Sequence, residues 1–209
     1  DHLNVTEEFL AARFADHYAR TKYQAETRVL RAHSEQLKTL SLRPRLVVGP
    51  GDQSIFPRLI QSHQLGRLLQ VGEGRNIVSM TSISNMMRGL DCAVFGPDEV
   101  CGDIYNLADP QPVNLWQVIN QLMPLLGLPQ VTRKVSYGVA YSLAAVVETV
   151  HRLRRKSSEP DLLRYKVAVM GNSFTLNIER AKRKLGYDPL LSIDDTLHDF
   201  AQWWKQQNG

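Results

Sequence analysis

The sequence predicts an α/β protein whose second half is mainly helical, and three observations carry that prediction. Strand-like and helix-like runs alternate from Leu40 to Leu126, as in folds that layer helices on a sheet. Glycine and proline punctuate those runs, at Gly49-Pro50-Gly51, Gly72-Glu73-Gly74 and Gly127. With 209 residues, 43% hydrophobic and 22% charged, the chain can bury a substantial core.

Taken in order, Thr6-Glu7-Glu8 leads into Phe9-Leu10, and Asp16-His17 precedes a helix expected from Tyr18 to Leu37. Leu40 to Val48 alternates and becomes β-branched, so it reads as one buried strand running into the Gly49-Pro50-Gly51 turn. Ile55 to Leu65 is a short amphipathic helix that admits Pro57 in its first turn. Leu69-Gln70-Val71 and Asn76 to Thr81 read as short strands on either side of the Gly72-Glu73-Gly74 turn. Ser84 to Phe95 is a helix and Asp103 to Leu107 a strand. Asn114 is a good N-cap for a helix from Leu115 to Leu126 that stops at Gly127. Val135 to Val150 is the most apolar segment. Phe174 to Asn177 reads as an edge strand before a helix from Ile178 to Leu185. Ser192-Ile193-Asp194-Asp195 is a plausible cap for a last helix reaching about Gln206.

Tyr18 and Lys22 are the candidate catalytic pair. Four residues apart, they share one face of a helix, the lysine one turn beyond the tyrosine. A phenol with a reference pKa of roughly 10 is a poor base at neutral pH. A neighbouring cation favours the phenolate, which suits a tyrosine that moves a proton on or off an alcohol oxygen.

Net charge +4 is mild, and the basic residues are scattered except for Arg152-Leu153-Arg154-Arg155-Lys156. Aromatics are not interleaved with them, which argues against nucleic acid as a partner. Six dispersed histidines and two cysteines, Cys92 and Cys101, offer no ligand spacing, so no metal site is expected. The unpaired cysteine pattern fits a reducing cytoplasm.

The helix Tyr18-Ala-Arg-Thr-Lys22 continues into Tyr23-Gln24-Ala25-Glu26, and Leu42-Arg43-Pro44 is followed by Gly49-Pro50-Gly51-Asp52. With Gly72-Glu73-Gly74-Arg75-Asn76, Tyr105-Asn106-Leu107-Ala108-Asp109 and Lys184-Leu185-Gly186-Tyr187-Asp188-Pro189, these motifs resemble the extended short-chain dehydrogenase/reductases. Their order and spacing are most similar to the 3β-hydroxysteroid dehydrogenase/isomerase family, from about Tyr18 to Trp204.

That resemblance implies the C-terminal part of a Rossmann-like, doubly wound parallel sheet plus a smaller, mainly helical substrate domain. Residues 1–50 would be the remainder of the dinucleotide-binding domain, its sheet also taking segments near 76–107, and 51–209 mostly the substrate domain. The resemblance implies NAD or NADP as cofactor, with Tyr18, Lys22, Pro44, Leu46 and Val47 at its nicotinamide end. It places Arg75 and Asn76 at the substrate and gives Arg43 a structural role. No glycine-rich Gly-x-Gly-x-x-Gly turn is present, so the chain is expected to be part of a longer enzyme and inactive alone. Thr81-Ser82-Ile83-Ser84-Asn85 departs from the family's Thr-Tyr-Val-Asp-Asn, so family substrate specificity does not transfer there.

The expected reaction is oxidation of a secondary alcohol, such as a 3β-hydroxyl on a sterol-like ring. The alternatives are a nucleotide-sugar epimerase or dehydratase, and a non-catalytic scaffold if the polypeptide is natively this short. A helix over Val135 to Val150 would be about 24 Å long, short of the roughly 30 Å hydrocarbon core. It is expected to cover the substrate pocket. Peripheral membrane contact through 135–156 is the next option, the following basic residues suiting anionic lipid. A homodimer through the tyrosine helix is compatible with the resemblance.

Overall fold

The structure, a computed structural model, describes residues 1–9, 17–154 and 162–208. Leu10 and Asp16 on the approach to the first helix, and Arg155 and Lys156 of the basic run, lie outside the described residues.

Strand β1 (His2–Val5) precedes helix α1 (His17–Arg31), which carries Tyr18 and Lys22. Arg28 and Arg31 occupy its last turn, where cations favour the helix dipole. The helix stops at Arg31 rather than Leu37, because side chains there satisfy the backbone in place of further helical turns. His33 Nδ1 accepts from Thr39 N (3.1 Å), and Ser34 Oγ accepts from Leu37 N (3.1 Å).

The single strand expected over Leu40 to Val48 is two strands, β2 (Ser41–Pro44) and β3 (Val47–Val48). Pro44 has no N–H to continue a ladder, and Leu46 takes a left-handed φ of 47°. The break moves the chain from one parallel partner to another. β2 pairs with β7 (Ile104–Leu107), Ser41 opposite Ile104 and Pro44 opposite Leu107, whereas β3 pairs with β6 (Thr81–Ser82). Thr81 Oγ1 fills the gap, accepting from Arg45 N (3.2 Å) and donating to Arg45 O (2.9 Å).

Between them lie α2 (Phe56–Gln64), with Pro57 in its first turn, β4 (Gln70–Val71), β5 (Ile77–Val78) and, after β6, α3 (Ile83–Phe95). Gly72 and Gly74 take φ of 68° and 69°, so the expected glycine turn between β4 and β5 is present. Beyond β7 come β8 (Val113–Asn114), α4 (Leu115–Leu125), β9 (Lys134–Val135), α5 (Tyr137–Leu153), α6 (Arg164–Gly171), β10 (Phe174–Leu176) and α7 (Ile193–Asn208). The expected caps form: Asn114 Oδ1 accepts from Gln117 N (3.0 Å), and Ser192 and Asp195 bond reciprocally. The helix expected over Ile178 to Leu185 forms over residues 179–185, its Ala181–Leu185 part wound wide and closed by left-handed Gly186.

A four-stranded sheet runs in the order β1-β10-β5-β8, parallel except for antiparallel β8. Phe174 to Asn177 is therefore not an edge strand: β1 covers its outer side. Four residues before a helix carry too short a pattern to announce that partner. Parallel pairing dominates and helices are interspersed, the α/β class expected.

Two cores hold the chain together. One packs Phe56, Trp116, Ile119, Leu122 and Met123 against Leu197 and Phe200 of α7, joining α2 and α4. Trp203 and Trp204 pack on its rim, their rings 5.8 and 5.7 Å from that of Phe200. The other surrounds β7, where Tyr105 and Leu107 are enclosed with Leu185 and Tyr187.

Candidate active site

Tyr18 and Lys22 face the same way. Lys22 Nζ lies 5.6 Å from the centroid of the Tyr18 ring, the geometry their four-residue spacing dictates. Tyr18 is 67% exposed, so it is not a packing residue of the sheet, and α1 buries none of its side chains. Among the described residues Lys22 has no carboxylate partner, which leaves its three donors free for hydroxyl groups.

The segment after α1 runs back along it. Thr39 Oγ1 donates to Val29 O, while Ser41 Oγ (2.7 Å) and Arg43 both donate to Glu26. Strand residues advance about 3.3 Å each and helix residues 1.5 Å. Pro44 is exposed, whereas Leu46 and Val47 are half-buried. This is the carboxyl end of parallel β2, the edge at which open α/β sheets receive ligands.

Arg43 anchors this arrangement, as expected. Its Nε (2.8 Å) and Nη2 (2.6 Å) hold both oxygens of Glu26, and Nη1 donates to Glu7 O (2.9 Å). The Arg43 hydrogen bond holds the Glu26 carboxyl below its ordinary range, outweighing the opposing effect of burial.

Arg75 and Asn76 are placed by a different part of the fold, the approach to β5. Arg75 is exposed and Asn76 buried, so the two side chains do not act as a pair. Asn76 O accepts from Leu115 N (3.2 Å), yet Asn76 Oδ1 and Nδ2 are enclosed without partners.

Several side chains that organise the site carry no strong local signal. Glu7 is buried, its Oε1 accepting from Asn106 N (2.9 Å). Arg180 reaches Glu7 Oε2 (3.6 Å), Asp103 Oδ1 (3.1 Å) and Glu8. Together they tie the segment before α1 to β7 and to the chain beyond β10. A cleft of about 460 Å³ beside them is lined by Thr6, Glu7, Glu8, Asn177 and Arg180. Another of about 370 Å³, lined by Tyr23, Glu26, Thr27 and Arg43, follows the open side of α1 and β2. Tyr18 and Lys22 line neither.

Asn85, in the first turn of α3, donates to Asp109 Oδ1 (2.7 Å) and Leu191 O (2.9 Å), and its Oδ1 accepts from Leu190 N (3.0 Å) and Leu191 N (3.2 Å). Its place in the Thr81-to-Asn85 motif was the signal for this role. Burial pushes the Asp109 carboxyl up, against the bonds from Ser82 and Asn85. No group of His, Cys, Asp and Glu suited to a metal ion occurs among the described residues.

The sequence matches the 3-beta hydroxysteroid dehydrogenase/isomerase family over residues 4–136. It is similar to a protein of Stenotrophomonas maltophilia named 2-alkyl-3-oxoalkanoate reductase, 37% identical over 86% of this chain and 56% of the relative. A protein of the same name from Shewanella oneidensis is 32% identical over 90% of this chain and 51% of its own length. The chain thus spans about half the length of the curated relatives it matches. Among solved structures, the UDP-glucuronic acid 4-epimerase of Bacillus cereus in complex with NAD superposes with a TM-score of 0.72. The match covers 100% of this chain and 58% of the epimerase at 19% identity, a likeness of fold.

Proposed function

The chain belongs to the 3-beta hydroxysteroid dehydrogenase/isomerase family, and on that premise we propose that it serves an NAD(P)-dependent oxidoreductase of the extended short-chain type. The reaction interconverts a secondary alcohol and a ketone. Tyr18 takes the hydroxyl proton in oxidation and returns one to the oxygen in reduction. Lys22 holds the phenol's surroundings positive and offers hydrogen bonds to the nicotinamide ribose. Pro44, Leu46 and Val47 form the apolar wall beside the ring. When bound, the nicotinamide cofactor accepts or donates the hydride. The observation that supports this reading is the Lys22 ammonium over the Tyr18 ring on α1, the helix that Glu26 and Arg43 fasten to β2.

The favoured substrate class is a 3-hydroxy or 3-oxo acid with alkyl chains, after the names of the two relatives. A sterol-like 3β-hydroxyl is the second reading, supported by the family's name. Arg75 and Asn76 stand as substrate residues, Asn76 through its unpaired carboxamide. Residues 51–209 are proposed to form most of the substrate domain, with 1–50 on the cofactor side.

A cytoplasmic location with peripheral membrane contact through 135–156 belongs to the same proposal. Val139, Leu143, Val146, Val150 and Leu153 are all exposed on one face of α5, and Arg152 and Arg154 flank its end. No helix among the described residues is long and apolar enough to cross a membrane. A homodimer through α1 is proposed on its unburied face.

The test is Tyr18→Phe in the full-length protein. Turnover should be lost while nicotinamide affinity stays within about threefold, because removing an acid–base group costs about 10²–10⁴ in rate without touching the binding surface. Retained turnover overturns the role. Release of an epimerised or dehydrated nucleotide sugar would favour the epimerase or dehydratase reading instead.

A further inference from the structure

Among the described residues Arg45 has no carboxylate as counter-charge. It follows β2 directly, between Pro44 and Leu46, where the strand changes partners. Its backbone N–H and C=O are both satisfied by Thr81 Oγ1. Its side chain lies over the Phe174 ring, the guanidinium carbon 4.2 Å from the centroid. No carboxylate pairs with it among the described residues, and its Nε is enclosed without a hydrogen-bond partner. The contrast with Arg43, two residues earlier, is sharp: that guanidinium spends all three nitrogens on Glu26 and Glu7.

A ring face compensates a cation only weakly, by about 0.5–2 kcal/mol. Taking a guanidinium out of water without an acceptor costs more than that unless a partner arrives. Desolvation pushes the Arg45 guanidinium down to about 10, the mark of a charge enclosed without a counter-ion. Phe174 of β10 carries the guanidinium, and Tyr165 of α6 acts on its charge. The backbone of Arg45 directly follows β2, the strand that Arg43 ties to the helix carrying Tyr18 and Lys22. One residue therefore reaches from the end of β2 to the ring of Phe174 in β10.

We propose that Arg45 binds an oxyanion of the substrate, a carboxylate carried beside the alcohol or ketone carbon, and so selects acids over neutral alcohols. The inference rests on the oxidoreductase reading above and names the group by which that site recognises its substrate. The planar fork of donors suits bidentate contact with a carboxylate, and the Phe174 face holds the fork flat before the acid arrives. The same chemistry would suit a cofactor phosphate, so the test separates the two sources.

The experiment uses the full-length protein with NAD or NADP, a 2-alkyl-3-hydroxyalkanoate and its methyl ester, which differs only in lacking the charge. Arg45→Met is expected to lower kcat/KM for the acid by about 30-fold or more, chiefly through KM, and to change the ester by less than about threefold. Arg45→Lys should recover part of the loss, since it restores charge without the fork. An equal loss on acid and ester overturns the proposal, as does a matching rise in the cofactor's KM, which would assign the guanidinium to phosphate. Binding of decanoate by calorimetry gives an answer independent of turnover: the wild type should bind and Arg45→Met should not. Failure of the wild type to bind decanoate overturns the proposal. If decanoate binds through Arg45 while neither acid nor ester is oxidised, the oxidoreductase reading fails and the oxyanion site stands.

Discussion

Arg43 grips both oxygens of Glu26, at 2.8 Å from Nε and 2.6 Å from Nη2, and with Ser41 Oγ on the same carboxylate it sets helix α1 against strand β2. The turn carrying Tyr18 and Lys22 depends on it, because α1 has no fully buried side chain of its own and would otherwise lean on the strand weakly. Glu26 lies two turns beyond Tyr18, so rotating it away would swing the phenol as well.

Glu26→Gln should therefore destabilise the fold by about 2 kcal/mol at neutral pH, the scale of hydrogen bonds to a charged group. The bond from Arg43 depresses the folded-state pKa of Glu26, so its stabilisation is present above the unfolded value and lost as pH falls through the depressed one. Urea melts of wild type and Glu26→Gln should differ most near pH 7, with the gap closing below the ordinary glutamate pKa of roughly 4.3. A gap that is flat from pH 7 to 3 would contradict the charge-assisted account.

Lys22→Met should reduce kcat about 100-fold or more and raise the KM for the nicotinamide cofactor. The ammonium has no structural ion pair among the described residues, so the melting temperature should hardly move. A large loss of stability with unchanged kcat would make Lys22 a structural residue.

Asn85→Ala removes four hydrogen bonds at once and leaves Asp109 with the Ser82 N–H as its remaining neutral donor. The expected cost is about 2–4 kcal/mol, because a buried carboxylate and two backbone N–H groups lose their partners together. Chemical denaturation measures it. Asn85→Asp should cost more at neutral pH than at pH 4, since it sets a second carboxylate against the first.

The exposed aliphatic face of α5 should bind vesicles containing anionic lipid, and Leu143→Asp with Val146→Asp should weaken that binding several-fold without altering turnover. Cosedimentation with neutral and anionic vesicles reads both effects. Equal recovery of wild type and double variant with anionic vesicles would count against membrane contact.

Local rules made part of this molecule legible. Tyr18 and Lys22 share a face because helical periodicity alone fixes a four-residue spacing, and Asn114, Gly127 and the Ser192–Asp195 box cap their helices through neighbours in the chain. The break after β2 is only half legible in the sequence: Pro44 lacks the N–H to extend a ladder, but the change of partner from β7 to β6 is decided by strands distant in the chain. The interior position of Phe174 and the shortened α1 escaped for the same kind of reason: β1 and the His33–Thr39 turn decide them.

The order of motifs along the chain thus settled the class of fold, the family, and which helix carries the phenol and ammonium, because those follow from spacing and side-chain chemistry. Which charges are answered was decided only when distant segments met. Arg43 finds Glu26 17 residues away and Glu7 36 residues away, whereas Arg45 meets Phe174 and no acid among the described residues. Two arginines two residues apart carry the same charge in sequence; among the described residues, the tertiary partners around each make one a brace and leave the other's charge unanswered.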